Sequence, residues 1–137
     1  MTDIVTKYAA LIAGFSVIPF FITNAYLTIK LKPLKYDLMR SIADSAPEKF
    51  KSRALFLMEG HMSWLAGSAC SYIWFVYPML RIAWQIPSDD IVKWQKDICE
   101  ILGTNYRLYW LSTMLLNLTL AGIAVFVINE YLLRNFI

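Results

Sequence analysis

Three stretches of the chain carry no Asp, Glu, Lys or Arg: residues 8–29, 60–80 and 108–129. Each has the length of a membrane span, because a helix of about 20 apolar residues crosses the hydrocarbon of a bilayer. The apolar positions run continuously instead of alternating, which favours helices over barrel strands. We therefore predict an all-α integral membrane protein, a single membrane domain over 1–137, with three transmembrane helices at about 8–29, 61–81 and 108–129.

Composition supports a bilayer as the solvent. The chain is 58% hydrophobic and 17% charged, whereas soluble domains have about 45–50% apolar and about 25% charged residues. The first apolar stretch also differs from a cleaved signal peptide, since its basic cluster KLKPLK (30–35) follows the apolar run. We expect this stretch to remain as an anchor.

Basic residues predict the orientation of the three spans. The loop between the first two spans and the C-terminal tail together hold eight Lys and Arg residues, against five on the other side. Because cytoplasmic loops are enriched in Lys and Arg, the N-terminus should lie outside and the C-terminus in the cytoplasm. The membrane would be a bacterial inner membrane or an organelle inner membrane. The net charge of +3 then requires no nucleic-acid partner.

The outer loop has the pattern of an amphipathic helix at about 88–102. Ser88 is a suitable N-cap, and Gly103 suits the position just after the helix. Its apolar face includes Trp94. We predict that this helix lies along the outer membrane surface with Trp94 at the headgroups, and the alternative is that a partner subunit covers the same face.

The inner loop also predicts interfacial helices, over about 34–58. Ser45 and Glu48 form a capping box around Pro47, so a second helix should begin there. Four acidic residues lie among the seven basic residues of this loop. We therefore expect a folded surface with paired charges, instead of a bare polybasic segment that binds lipid.

Small and polar residues in the spans predict helix packing. Ser63, Gly67 and Ser71 recur every four residues in the second span, and Asn117 lies near the middle of the third. Close contact between helices in lipid depends on small residues and on interhelical hydrogen bonds. We predict that these four residues pack helices together. The pattern leaves open whether the neighbouring helix belongs to another chain or to this one.

Glu59 and His61 lie where the second span begins. We place both at the inner headgroup level as interfacial anchors. A membrane that began near Ala54 would instead bury Glu59 and mark a functional site. Since the chain has one His, His61 could ligate haem only with a second ligand from another subunit. We expect no intrinsic cofactor, no metal site, and no haem or other pigment shared with a partner.

No pattern typical of an active site is visible, so we predict that the protein is not an enzyme. The expected function is a non-catalytic accessory or structural subunit of a larger membrane complex, with lipid and other integral membrane subunits as partners. The alternative is a stand-alone membrane regulator, such as an immunity or exclusion protein. A haem-sharing anchor subunit ranks behind both, because the chain has a single His. An oligomeric channel does so as well, because the spans hold few polar residues.

Overall fold

A computed structural model describes residues 2–60 and 63–136, and all regular structure in these residues is helical. In chain order the helices are α1 (Thr2–Lys30), α2 (Lys35–Ser45), α3 (Lys51–Gly60), α4 (Trp64–Ser68), α5 (Val76–Ile82), α6 (Ser88–Leu102), α7 (Tyr106–Val127) and α8 (Arg134–Phe136). A π-helical turn, Ile128–Leu133, joins the last two.

The frame of the molecule is an antiparallel pair of helices, α1 and α7. They are not consecutive in the chain, and we call this pair the hairpin. Within the described residues, two helical stretches are long and apolar enough to cross a membrane, Asp3–Lys30 and Ser88–Phe136. The second of these includes α6 as well as α7. The first remains helical through Pro19. The sequence-based prediction of an all-α chain with apolar helices of span length is thus confirmed, with two candidate spans instead of three.

The hairpin is closely packed in the half that holds the chain ends. Ser16 Oγ and Thr119 Oγ1 lie 2.8 Å apart and share a hydrogen bond. A Cβ atom on Gly122 would come within 2.9 Å of the Ala9 carbonyl oxygen and 3.0 Å of Ala13 Cβ. The two backbones therefore approach through small residues, as expected for helices that pack in lipid.

The second span predicted at 61–81 is not continuous in the part of it that the structure describes. Residues 63–82, here called the broken segment, form α4, a 3₁₀ turn (Cys70–Tyr72) and α5. The α4 helix already ends at Ser68, ten residues before Pro78, so proline is only part of the physical reason. Pro78 has no N–H to donate, and its ring would clash with a helical carbonyl four residues earlier. A new helix therefore starts at Val76, with Pro78 in its first turn, where proline is tolerated.

The broken segment packs against the hairpin, starting from the end where α1 finishes and α7 begins. The chain then returns to that same end. Near its start, Ser63 Oγ donates a hydrogen bond of 2.8 Å to Asn24 Oδ1. Its middle contacts Asn117, which is about 16 Å from the start of α7 at ~1.5 Å per residue. From there α5 leads back to α6. The segment therefore reaches about half-way along α7 without crossing to the far end.

As a consequence, the two predicted loops meet. We call residues 31–60 and 83–105 the cap. Within it, α6 packs on α2, and Trp94 Nε1 donates a hydrogen bond of 3.0 Å to the Ile42 carbonyl. Three spans would have separated these loops by about 30 Å of hydrocarbon. Trp94 is 1% exposed, so its apolar neighbour is this chain, in contrast to the predicted position at the headgroups.

Candidate functional site

Asn117 holds the turn of the broken segment with both ends of its amide. Its Nδ2 donates to the Tyr72 carbonyl at 2.9 Å, and its Oδ1 accepts from the Trp74 backbone N–H at 3.2 Å. These backbone groups lie where the helix is interrupted. Non-helical backbone at membrane depth is tolerated only where such groups find partners within the protein. Asn117 therefore pairs backbone groups that the interrupted helix leaves free, which allows the chain to turn here.

The three small residues of the predicted packing face have different neighbours. Ser63 caps α4 by accepting from the Ala66 N–H at 3.3 Å. Gly67 lies against α3, where an added Cβ would come within 2.8 Å of the Leu57 carbonyl oxygen. Ser71 is 1% exposed, and its hydroxyl has no hydrogen-bond partner among the described residues. The structure thus gives these residues neighbours in the same chain, and they do not share one helix face.

A group of hydroxyl and amide side chains joins the broken segment to the cap. Tyr72 OH donates to the Gln95 carbonyl at 2.9 Å and lies 3.0 Å from Tyr106 OH. Gln95 Nε2 donates in turn to the Ser71 carbonyl at 3.0 Å. We did not predict these contacts from the sequence. Their only signal there is the presence of tyrosines in stretches that are otherwise apolar.

A second feature is a polar groove of about 290 Å³ between α2 and α3. Its lining residues, here called the cap groove, are Tyr36, Asp37, Met39, Arg40, Ala43, Asp44, Leu55 and Glu59. Three carboxylates face one guanidinium, so the groove is acidic. Tyr36 at its edge is 79% exposed. One wall, α2, begins five residues after α1 ends, which places the groove beside the end of the hairpin.

Of the two residues predicted as interfacial anchors at the start of the second span, one can be placed. Glu59 is exposed and lines the cap groove. His61 lies outside the described residues, so its predicted role as an anchor and the expectation that it binds no haem both stay predictions. In the described part of the chain, no three His, Cys, Asp or Glu side chains are grouped as metal ligands would be.

Comparison of the chain with protein-family models, with curated proteins and with solved structures finds no match. The functional reading therefore depends on the two features above, the broken segment and the cap groove.

Proposed function

We propose that the protein is a two-span membrane protein whose cap lies in the cytoplasm, or on the equivalent inner side of an organelle membrane. Of its 13 Lys and Arg residues, only Lys7 and Arg134 lie outside the range 30–107. This asymmetry is larger than the eight to five that three spans give. Because the basic end of a span faces the cytoplasm, both Lys7 and Arg134 would lie outside. This orientation keeps the predicted position of the N-terminus and reverses that of the C-terminus.

We further propose that the protein is a non-catalytic accessory subunit that binds another integral membrane protein through the cap groove. The carrying observation is an acidic groove with an exposed tyrosine beside the cytoplasmic end of the hairpin. Membrane proteins carry Lys and Arg at their cytoplasmic boundaries, so such a boundary segment matches the charge of the groove. Tyr and Arg, both present here, are also enriched at protein interfaces.

One observation favours the alternative of a stand-alone membrane regulator, such as an immunity or exclusion protein. The sequence left open whether Gly67 and Asn117 contact a helix of another chain. In the structure both contact this chain itself. The fold therefore needs no second subunit to satisfy them. Both functions operate by protein contact, and they differ in whether the partner is permanent.

Site-specific crosslinking tests the proposal. A photoreactive amino acid at Leu55, in the cap groove, should crosslink to one membrane protein in the native host. The same probe at Val92, which is 58% exposed on α6, serves as the control and should not. Equal crosslinking from both positions, or crosslinking to lipid alone, would contradict a binding role of the groove.

Charge reversal and native mass measurement complete the test. Glu59→Lys together with Asp44→Lys should abolish the crosslink from Leu55, because the groove would then repel a basic segment. Asp90→Lys, on the exposed side of α6, should leave it unchanged. In mild detergent an accessory subunit should migrate with a fixed partner, whereas a stand-alone regulator should migrate alone until its target is added.

A further inference from the structure

We propose that a cluster of lysines where α1 meets α2 binds the headgroups of anionic phospholipids. We call Lys30, Lys32 and Lys35, with Tyr26 and Tyr36, the basic corner. The inference rests on the membrane insertion proposed above, and its three lysines are not part of the cap groove, with which the basic corner shares Tyr36.

The position of the basic corner fits a headgroup site. Lys30 is the last residue of α1, Lys32 begins the 3₁₀ turn that follows, and Lys35 begins α2. All three therefore lie within one short turn at the end of a helix that can cross a membrane. Between them, Leu31 is 4% exposed and fixes the turn to the core. Three cationic residues thus lie within six positions of folded chain, instead of being spread along a mobile tail.

The ammonium groups of the basic corner have no carboxylate partner in the described residues. The ion pairs found in the described residues are Lys51 with Glu48 and Arg134 with Glu130. The paired surface expected for the inner loop therefore does not include Lys30, Lys32 or Lys35. Each ammonium group keeps hydrogen-bond donors for an external anion.

Two of the lysines instead lie over aromatic rings. Lys30 Nζ is 5.9 Å from the centre of the Tyr26 ring, and Lys35 Nζ is 5.6 Å from that of Tyr36. A ring attracts the cation without neutralising it, and tyrosine is enriched at the headgroup level of membranes. The charge and the aromatic rings both match phospholipid headgroups with a net negative charge.

The size of the effect follows from the attraction of basic residues to an anionic leaflet, which amounts to about a fivefold gain in binding per lysine near the surface. Three lysines then give a preference of about 100-fold for an anionic over a zwitterionic lipid. Removing their charge should abolish most of this preference.

The test is a titration of the full chain in detergent micelles with phosphatidylglycerol or phosphatidylcholine, with bound lipid counted by native mass measurement. The unmodified protein should retain phosphatidylglycerol preferentially. Lys30→Gln, Lys32→Gln and Lys35→Gln combined should lower that preference by more than tenfold, and the corresponding three Arg variants should restore it. Helical content by circular dichroism confirms that each variant is folded.

A matched variant removes the same charge elsewhere on the cap: Lys49→Gln, Lys93→Gln and Lys96→Gln. It should keep the preference for phosphatidylglycerol. An equal loss in both triple variants, or no preference in the unmodified protein, would overturn the proposal. Cysteine labelling at Lys49 in intact cells separates this failure from failure of the proposed function. External labelling there contradicts the topology, whereas an inner cap without lipid preference contradicts only the headgroup site.

Discussion

The α1 helix and the broken segment both contain a long apolar run, but only α1 forms one continuous helix. Each overlaps a run of more than 20 residues without Asp, Glu, Lys or Arg, 8–29 in α1 and 60–80 in the broken segment. Yet α1 is a single helix of 29 residues with most of its apolar side chains exposed, whereas residues 63–73 are buried or half-buried and do not form one helix. A charge-free run of span length therefore shows that a segment is apolar, but does not show that it crosses.

Proline alone does not explain the difference, because both regions contain one. The α1 helix continues through Pro19, whereas the chain bends before Pro78 and forms non-helical backbone at Ile73. In the broken segment, Asn117 from α7 is available to the freed backbone groups. Asn117 therefore stabilises the interruption of the broken segment from a distance, whereas the described residues show no such contact at Pro19.

The largest expected effect concerns Trp94, since its burial depends on the return of the broken segment. Trp94→Ala should lower the free energy of unfolding by about 3–5 kcal/mol, because a large buried ring is removed. Denaturant unfolding in detergent, followed by circular dichroism, measures this loss. Val92→Ala on the exposed side of the same helix should change it by less than about 0.5 kcal/mol. A mild effect of Trp94→Ala would restore the interpretation of a surface tryptophan.

The next effect concerns the close contact of α4 with α3. Gly67→Ala should destabilise the protein by about 1–3 kcal/mol, because the added methyl group meets backbone that cannot move aside easily. Gly14, in α1, has no atom within 4 Å of an added Cβ. Gly14→Ala should therefore be neutral or slightly stabilising. Equal effects of the two substitutions on the free energy of unfolding would contradict the close packing of α4 against α3.

Removing the amide that holds the turn should have a smaller effect. Asn117→Leu leaves the Tyr72 carbonyl and the Trp74 N–H without their partner, at a cost of about 1–2 kcal/mol. The readout is faster hydrogen exchange at residues 72–76. Asn135→Leu is the matched control, because Asn135 is exposed and donates its hydrogen bond to the nearby Tyr131 carbonyl, in the π-helical turn before α8. Unchanged exchange in Asn117→Leu would show that the amide does not hold the segment.

The smallest effect belongs to the hairpin itself. Ser16→Ala removes the hydrogen bond to Thr119 and should cost about 0.6 kcal/mol, the average for such contacts in membranes. A double-mutant cycle with Thr119→Val isolates the pair, and the two losses should not add. Fully additive losses would mean that the hydroxyl groups do not interact across the hairpin.

Some of this architecture can be read from the sequence, and some cannot. The helix predicted at about 88–102 runs from Ser88 to Leu102, because its periodic apolar face and the glycine that follows it are local signals. The predicted N-cap was wrong: Ser88 is the first helical residue, and Pro87 before it makes no side-chain capping bond. The turn of the broken segment depends on bonds from Asn117 to residues 43 and 45 positions away. Periodicity carries no information about such contacts. The cap groove likewise needs α2 and α3 to pack, although Glu59 in it was noted as a charged residue beside a span.

The central claim is that the broken segment returns, so that α2 and α6 lie on the same side of the membrane. Its most direct test is labelling by a membrane-impermeant thiol reagent of Lys49→Cys and Asp90→Cys, each made in a Cys99→Ala background. Both positions should be inaccessible in intact cells and accessible in inverted vesicles, with Lys7→Cys showing the reverse. Labelling of Lys49→Cys and Asp90→Cys from opposite sides would contradict the account and show that the segment crosses.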